Sequence, residues 1–314
     1  MNNKEVLVIG ELNVDILLND INGFPVIGQE ILADNLTLTL GSSSAIFAAN
    51  VSSLGVTTSF CGVVGKDMLG KFILDELHNK HVDTSLVTQS SAYQTGLTMI
   101  LNYQQDRANV TYCGAMEYFS IREIPTDKFS QFRHLHLSSY FLQKALQKDI
   151  VQLFKTTHDA GLSTSIDIQW DPANEWKFPF EECLPYVDFF LPNEAEILAL
   201  TRTKQLTDAF NILSSFANTV VVKRGENGAT AYHKGNITHA APYLHNYFTD
   251  AIGAGDSFNA GFISSYLKGK SLQESLLFGN LAGAINTTAS GGTGAFSDLA
   301  SFAEKAKTIF NILI

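Results

Sequence analysis

Asp256 closes the run Asp250-Ala251-Ile252-Gly253-Ala254-Gly255-Asp256, and the residue types around it are those that phosphate chemistry requires. Phe258, Phe262 and Tyr266, with Ile263 and Leu267 beside them, recur at spacings of three and four, which predicts a helix beginning near Asp256. The Gly253-Ala254-Gly255 stretch would aim unpaired backbone N–H groups and the positive helix end at one point, an anion site. A carboxylate at the centre of such a site would repel a phosphate unless it had a task, such as taking a proton from an attacking hydroxyl. The competing reading is a structural turn whose aspartate merely caps the helix.

Asn193 and Glu196 are three apart and would share a helix face; the spacing alone also fits an N-cap with a reciprocal acid. Lys223 to Gly228 reads as a strand end running into a glycine turn. His134-x-His136 alternates on an apolar strand, a pattern that is usually structural. Gly41-Ser42-Ser43-Ser44-Ala45 lacks the final glycine of a hydrolase elbow. There is neither a Walker A pattern nor a Gly-x-Gly-x-x-Gly after the first strand, which disfavours P-loop and dinucleotide chemistry.

Short β-branched runs must position these groups. Val6–Ile9, 58–64, His134–Ser138, 164–168, 188–191 and Thr219–Lys223 read as buried strands, separated by helical patterns at 44–54, 70–80, 144–160, 193–200 and 207–217. This alternation predicts a three-layer α/β/α fold with a mainly parallel central sheet, whose active site lies at the carboxyl ends of its strands. Residues 31–40 and 96–113 alternate differently, with a hairpin turn near Gln105-Asp106-Arg107. They predict a small β-sheet lid, inserted at about 11–40 and 95–115 of a single domain covering 1–314. Exposed lid strand edges give a route to a homodimer.

At 314 residues, 45% hydrophobic and 17% charged, the chain can bury a large core. Its net charge of −10 argues against nucleic-acid and anionic-membrane partners. Cys61, Cys113 and Cys183, widely spaced, read as thiols of a reducing cytosol, so a cytoplasmic location is expected. The run Val6-Leu7-Val8-Ile9 after Lys4-Glu5 reads as a first β-strand, far too short for the apolar stretch of a secretion signal or a membrane span.

Taken together, these motifs resemble the ribokinase-like (PfkB-type) carbohydrate kinases. The Asp250–Asp256 run matches their Asp-Thr-x-Gly-Ala-Gly-Asp signature except that Ala251 replaces threonine. Gly10-Glu11-Leu12-Asn13-Val14-Asp15, Gly62–Gly70, Asn193-Glu194-Ala195-Glu196 and Val222–Ala229 are similar to further family segments, in the family's order. The resemblance implies transfer of the ATP γ-phosphate to a hydroxymethyl group of a sugar or sugar acid, with Asp256 as base and Gly253, Ala254 and Gly255 as anion hole. It implies sugar contacts from Asn13, Asp15, Gly41, Ser42 and Ser43 as well as Asp256, and ATP contacts from Asn193, Lys223, Gly225, Gly228, Gly255 and Asn280. Asn193 and Glu196 would hold Mg²⁺ through water, and Asp250 and Ile252 a monovalent cation (K⁺), with the 291–294 turn beside it. Ser42 and Ile46 stand where the family has glycine and asparagine. Ile46 cannot bond sugar hydroxyls, which argues against simple ribose recognition and leaves a nucleoside open. A non-catalytic sugar-binding protein on the same scaffold is the third reading. Asp167 and the Trp170-Asp171-Pro172…Trp176 stretch edge the expected sugar site or form a surface loop, and Arg107 either reaches an anionic sugar or is solvated.

Overall fold

Val6-Leu7-Val8-Ile9 forms the central strand β1, and none of the four side chains has solvent access, as a parallel strand covered on both faces requires. Val6 and Val8 belong to one apolar cluster, Leu7 and Ile9 to another, so the two faces of a single strand feed two separate cores. The computed structural model describes residues 5–21, 23–103 and 106–314, with the side chains of Asp106 and Arg107 left aside. The expected Gln105 turn and the Arg107 side chain therefore lie outside the described residues.

The remaining strands are β2 (Asn13–Ile21), β3 (Ala33–Leu40), β4 (Thr58–Gly65), β5 (Asp83–Ser90), β6 (Gly96–Tyr103), β7 (Asp106–Tyr112), β8 (His134–Ser138), β9 (Ser163–Asp167), β10 (Phe189–Phe190), β11 (Thr219–Lys223), β12 (Ala229–His233) and β13 (Asn236–Ala240). Among the described residues β1 and eight of these form one sheet in the order β13-β12-β11-β10-β9-β8-β1-β4-β5, in which only the β11–β12 and β12–β13 pairings are antiparallel. Helices α1 (Ser43–Ser53), α2 (Met68–Asn79), α3 (Lys144–Gln147), α4 (Ile150–Asp159), α5 (Phe180–Cys183), α6 (Glu194–Thr201), α7 (Leu206–Leu213), α8 (Ala254–Leu267), α9 (Leu272–Asn286) and α10 (Leu299–Phe310) complete the chain. Side chains of α1, α2, α8, α9 and α10 build the first core, and those of α3, α4, α6 and α7 the second. The fold is thus three-layered, as the strand–helix alternation predicts.

β3-β2-β6-β7 make a second sheet in which β2 pairs parallel with β6. Alternation gives it two unlike faces. Asp15, Thr39, Thr98 and Thr111 lie in register on one face, and Ile16, Leu38, Met99 and Val110 on the other. Leu36, Leu38, Met99, Val110 and Tyr112 are exposed to solvent. Such a contiguous aliphatic face is unusual on a monomer.

The structure departs from periodicity in three places. The helix expected over 144–160 breaks at Lys148–Asp149, where the Asp149 N–H closes a tight turn onto the Leu146 carbonyl. Leu146, Ile150, Leu153 and Phe154 keep a helical spacing across the break because all four fill the same core. β5, β12, β13, α9 and α10 lie outside the segments assigned from periodicity. The β12–β13 hairpin turns on Lys234-Gly235, both with positive φ, a weaker signal in sequence than Asn-Gly. The helix expected near Asp256 starts two residues earlier, at Ala254. His134 and His136 are structural: serine hydroxyls bond their ring nitrogens, and burial holds the His134 imidazole down to about 3.

Asn50 ties this framework to the glycine loop. Its buried Nδ2 donates to Ser257 Oγ at 2.8 Å and to the Gly292 carbonyl at 2.9 Å, joining α1 to α8 and to the turn beneath it. Asn50→Ala leaves both acceptors dry, and a loss of ~1–3 kcal/mol in urea unfolding is expected.

Candidate active site

Gly253 is the N-cap of α8 at φ 71, a left-handed conformation that suits glycine. A Cβ there would sit 2.5 Å from Gly292 Cα, so two glycine backbones pack directly against each other. Asp250 braces the loop from below: its Oδ1 accepts from Ile252 N and its Oδ2 from Gly291 N, each at 2.9 Å. The Ile252 carbonyl accepts from Asn286 Nδ2 at 2.6 Å. Held in this way, Gly253, Ala254 and Gly255 face a cleft of about 810 Å³ at the carboxyl ends of the strands, and Asp256 lies in the first turn of the helix, buried, on its wall.

Asp256 is embedded among charges. Asp167, the last residue of β9, is fully buried and paired with Lys223, the last residue of β11. Its Oδ2 also accepts from Asn259 Nδ2 at 2.6 Å and from Gln169 Nε2 at 3.1 Å. The same Gln169 amide donates to Asp256 Oδ1 at 3.1 Å, bridging the two carboxylates from a backbone at φ 60. Burial, reinforced by the neighbouring Asp167, pushes the Asp256 carboxyl up to about 8. Burial opposes the charge on Lys223, yet Asp167, then Glu196, hold its ammonium above the usual lysine value. That ammonium would lie 3.5 Å from a Cβ built on Gly255, placing a cation beneath the helix entrance.

Asn193 and Glu196 form a reciprocal capping box on α6: Asn193 Oδ1 accepts from Glu196 N at 2.9 Å, and Glu196 Oε2 from Asn193 N at 2.8 Å. Burial, with Asp167 nearby, raises Glu196 to about 7. Both residues also line the cleft.

Most of the residues singled out from sequence meet in this one cavity. Asn13, Asp15, Ser42, Ser43, Asn193, Glu196, Lys223, Gly225, Gly228, Ile252, Gly253, Ala254, Gly255, Asp256 and Asn280 line it. Gly41 and Asp250 do not. Gly41 makes room instead, since a Cβ there would fall 2.3 Å from Asp15 Oδ1. Asp15 sits on β2, buried, and accepts from Asn13 Nδ2 at 2.9 Å. Asn280 gives its amide to the carbonyls of Ala240 and Ala241, anchoring the end of β13 to α9. Ile46 is buried and lines the cleft; a Cβ on Gly292 would lie 2.3 Å from its Cδ1 and one on Gly253 3.1 Å from its Cγ2, so it packs against both glycines.

Sequence reasoning missed Gln169, Thr98, Asn109, Thr111 and the segment at 242–248 that supplies Pro242, Tyr243, His245 and Phe248 to the wall. The period-two separation of threonine and asparagine from aliphatic residues on β6 and β7 was a usable signal for the lid positions. A further contact joins lid to loop: Leu17 and Ile100 from the lid form a small apolar cluster with Ile252.

A family model described as the pfkB family carbohydrate kinases matches residues 3–298. The chain belongs to that family. It is 29% identical to an uncharacterized sugar kinase of Archaeoglobus fulgidus, over 74% of this chain and 92% of that protein. It is 28% identical to a 2-dehydro-3-deoxygluconokinase of Bacillus subtilis, over 86% and 88%. Among solved structures, the adenosine kinase of Sinorhizobium meliloti superposes with a TM-score of 0.84 at 24% identity, covering 97% of this chain and 99% of that one, a likeness of fold. As a PfkB family member the protein is a phosphotransferase with an alcohol group as acceptor. No helix among its described residues is long and apolar enough to cross a membrane.

The raised acids of this PfkB site make stability depend on pH. Between its usual 3.8 and about 8, Asp256 holds a proton in the folded protein that the unfolded chain has released. Glu196 does the same between 4.5 and about 7. Unfolding free energy of the ligand-free protein is therefore expected to fall as pH climbs from about 4 to about 8. Asp256→Asn flattens that slope in urea titrations at pH 5, 6, 7 and 8, and a wild-type slope that the variant keeps would contradict the assignment.

Proposed function

We propose that the protein transfers the γ-phosphate of ATP to the hydroxymethyl group of a sugar-type acceptor, with Asp256 as general base and the backbone of Gly253, Ala254 and Gly255 as anion hole. One observation carries this reading: a buried carboxylate stands in the first turn of a helix whose glycine entrance opens on the main cleft with a lysine ammonium beside it. The acceptor oxygen forms a bond to the γ-phosphorus, the bond from that phosphorus to the β–γ bridging oxygen breaks, ADP leaves, and the hydroxyl proton passes to Asp256. Charge moving onto the phosphoryl oxygens would meet the Gly253 and Gly255 N–H groups, the Ala254 N–H once it leaves the Ala251 carbonyl to which it donates at 3.3 Å, and the Lys223 ammonium beside Asp167.

Asn13, Asp15, Ser42 and Ser43 face the acceptor in this reading, with Gly41 giving them room. Asn193, Lys223, Gly225, Gly228 and Asn280 line the nucleotide side. Family membership implies Mg²⁺ alongside ATP. Glu196 fits a hydrated ion: it is a hard oxygen donor at the cleft wall whose carboxyl is pushed up by burial and by Asp167, so a nearby cation relieves a real repulsion. Bound there through water by Glu196 and Asn193, the ion would neutralise phosphate charge. Asp250 and Ile252 would give a monovalent cation a carboxylate and a carbonyl, and the response of turnover to added K⁺ measures it.

Release of ADP that depends on the acceptor is the direct assay. Asp256→Asn is expected to lower kcat by ~10²–10⁴. In the wild type, kcat/KM should rise with pH through about 8 as the Asp256 proton is released. Gln169→Ala, which removes a donor to that carboxylate, should move the rise to higher pH. Near-normal turnover by Asp256→Asn would remove the base from the mechanism.

The lid's aliphatic outer face and its β3 and β7 edges support a homodimer through the lid. Sedimentation should show a dimer that the double variant Leu36→Lys with Leu38→Lys converts to monomer; a wild-type monomer at tens of micromolar would exclude it.

A further inference from the structure

We propose that Glu11 is a positioning residue for the transfer, setting the first turn of α1 and, through that helix, the glycine loop and the Asp256 carboxyl; the proposal rests on the kinase reading above. Glu11 follows β1 by two residues, is almost fully buried and lines the cleft. Its Oε1 accepts from Ser44 N at 3.1 Å and its Oε2 from Ser44 Oγ at 2.5 Å, while its carbonyl accepts from Ser42 Oγ at 2.5 Å. Gly10 makes room for this grip, since a Cβ there would fall 1.9 Å from Ser44 Oγ. The hydroxyl of Ser139, just past β8, bonds the same carboxyl.

Among the described residues, three non-glycine positions on the cleft wall have positive-φ backbones: Ser42 (φ 69), Ser139 (φ 54) and Gln169 (φ 60). Such conformations persist only where surrounding bonds over-determine them, and they gather at functional sites. Gln169 is held by Asp167 and Asp256, whereas both serines are held by Glu11. Ser42 is also the N-cap of α1, its Oγ accepting from Ala45 N at 3.0 Å. Gripping Ser42 and Ser44 together fixes how α1 is rotated about its axis. Ser43, Ile46 and Asn50, spaced by three and four, then share the face turned to α8. The Ser43 hydroxyl reaches the Asp256 carboxyl and favours its charged form. Ile46 packs on Gly253 and Gly292, and Asn50 donates to Ser257 Oγ and to the Gly292 carbonyl. Loss of the Glu11 carboxyl frees Ser44 and lets Ser42 relax, so all three contacts slacken at once.

The test compares Glu11→Ala, which keeps neither side-chain bond, with Glu11→Gln, whose amide oxygen accepts from Ser44 N while its NH₂ donates to the turned Ser44 hydroxyl. ADP release is followed with Mg²⁺, ATP and D-fructose, D-gluconate or adenosine, whichever the wild type turns over fastest. Glu11→Ala is expected to lose ~10–10²-fold in kcat with KM for ATP held within about threefold, and Glu11→Gln to recover kcat to within about threefold of wild type. Rescue by the amide, and a loss in kcat rather than in KM, separate positioning from general loosening. Ser43→Ala should cost less in the Glu11→Ala background than in the wild type, because both act on Asp256 along one path. Should Glu11→Ala fail to fold, Ser44→Ala, which cuts the same grip from the helix side, takes its place with a kcat loss of ~3–10-fold expected. In the ligand-free proteins, amide hydrogen exchange over 251–258 should quicken in the alanine variant and stay near wild type in Glu11→Gln, a measurement that needs no acceptor. Unchanged exchange there overturns the proposal, as do an unaltered kcat or losses that simply multiply, and each leaves the kinase reading standing. Acceptor-dependent ADP release that survives Asp256→Asn sinks the kinase reading, and this inference with it.

Discussion

The ion pair between Asp167 and Lys223 is the contact on which the site depends. The two residues end β9 and β11, and they meet across the two-residue strand β10. Asp167 is fully buried, so removing one partner would strand a charge at a cost of ~3–5 kcal/mol. A pair of this kind contributes little net stability, because desolvation offsets most of the attraction. Its value here is placement. Asp167 orients Asn259 of α8 and the Gln169 amide, Gln169 reaches Asp256, and Lys223 comes to rest beneath Gly255. Three segments far apart in sequence, the end of β9, the end of β11 and α8, are fixed around one carboxylate oxygen.

The same arrangement sets stability against readiness to react. In the ligand-free protein the favoured form of Asp256 is the protonated one, because burial and Asp167 penalise its charge. The proton abstraction proposed for it needs the charged form. The cavity therefore carries an electrostatic strain, which cations arriving with the nucleotide would relieve. Strain of this sort is common where acids are held for general base work.

Much of the framework could be read from local signals. The four aliphatic residues of β1, the Gly253–Asp256 loop and the Asn193–Glu196 box state their structure within a few residues. What stayed hidden was set by partners distant in sequence. Parallel pairing of β2 with β6 is invisible in either segment, and it is that pairing which buries Asp15 on the inner face of the small sheet. Gln169 carried no signal in sequence because its role comes from Asp167 and Asp256, the latter 87 residues away. The 144–160 helix was misjudged since its apolar spacing continues through a break in the backbone. Asn193 and Glu196 cap a helix and also face the cleft, so the structural and the functional interpretations of their spacing are compatible.

The small cluster of Leu17, Ile100 and Ile252 has a mechanical consequence. Ile252 immediately precedes the glycine that begins α8, while Leu17 and Ile100 project from the lid sheet. Any hinge displacement of that sheet must drag on the peptide that opens α8, or break an oily joint to avoid doing so. The position of the small sheet and the geometry of the helix entrance are in that sense geared together.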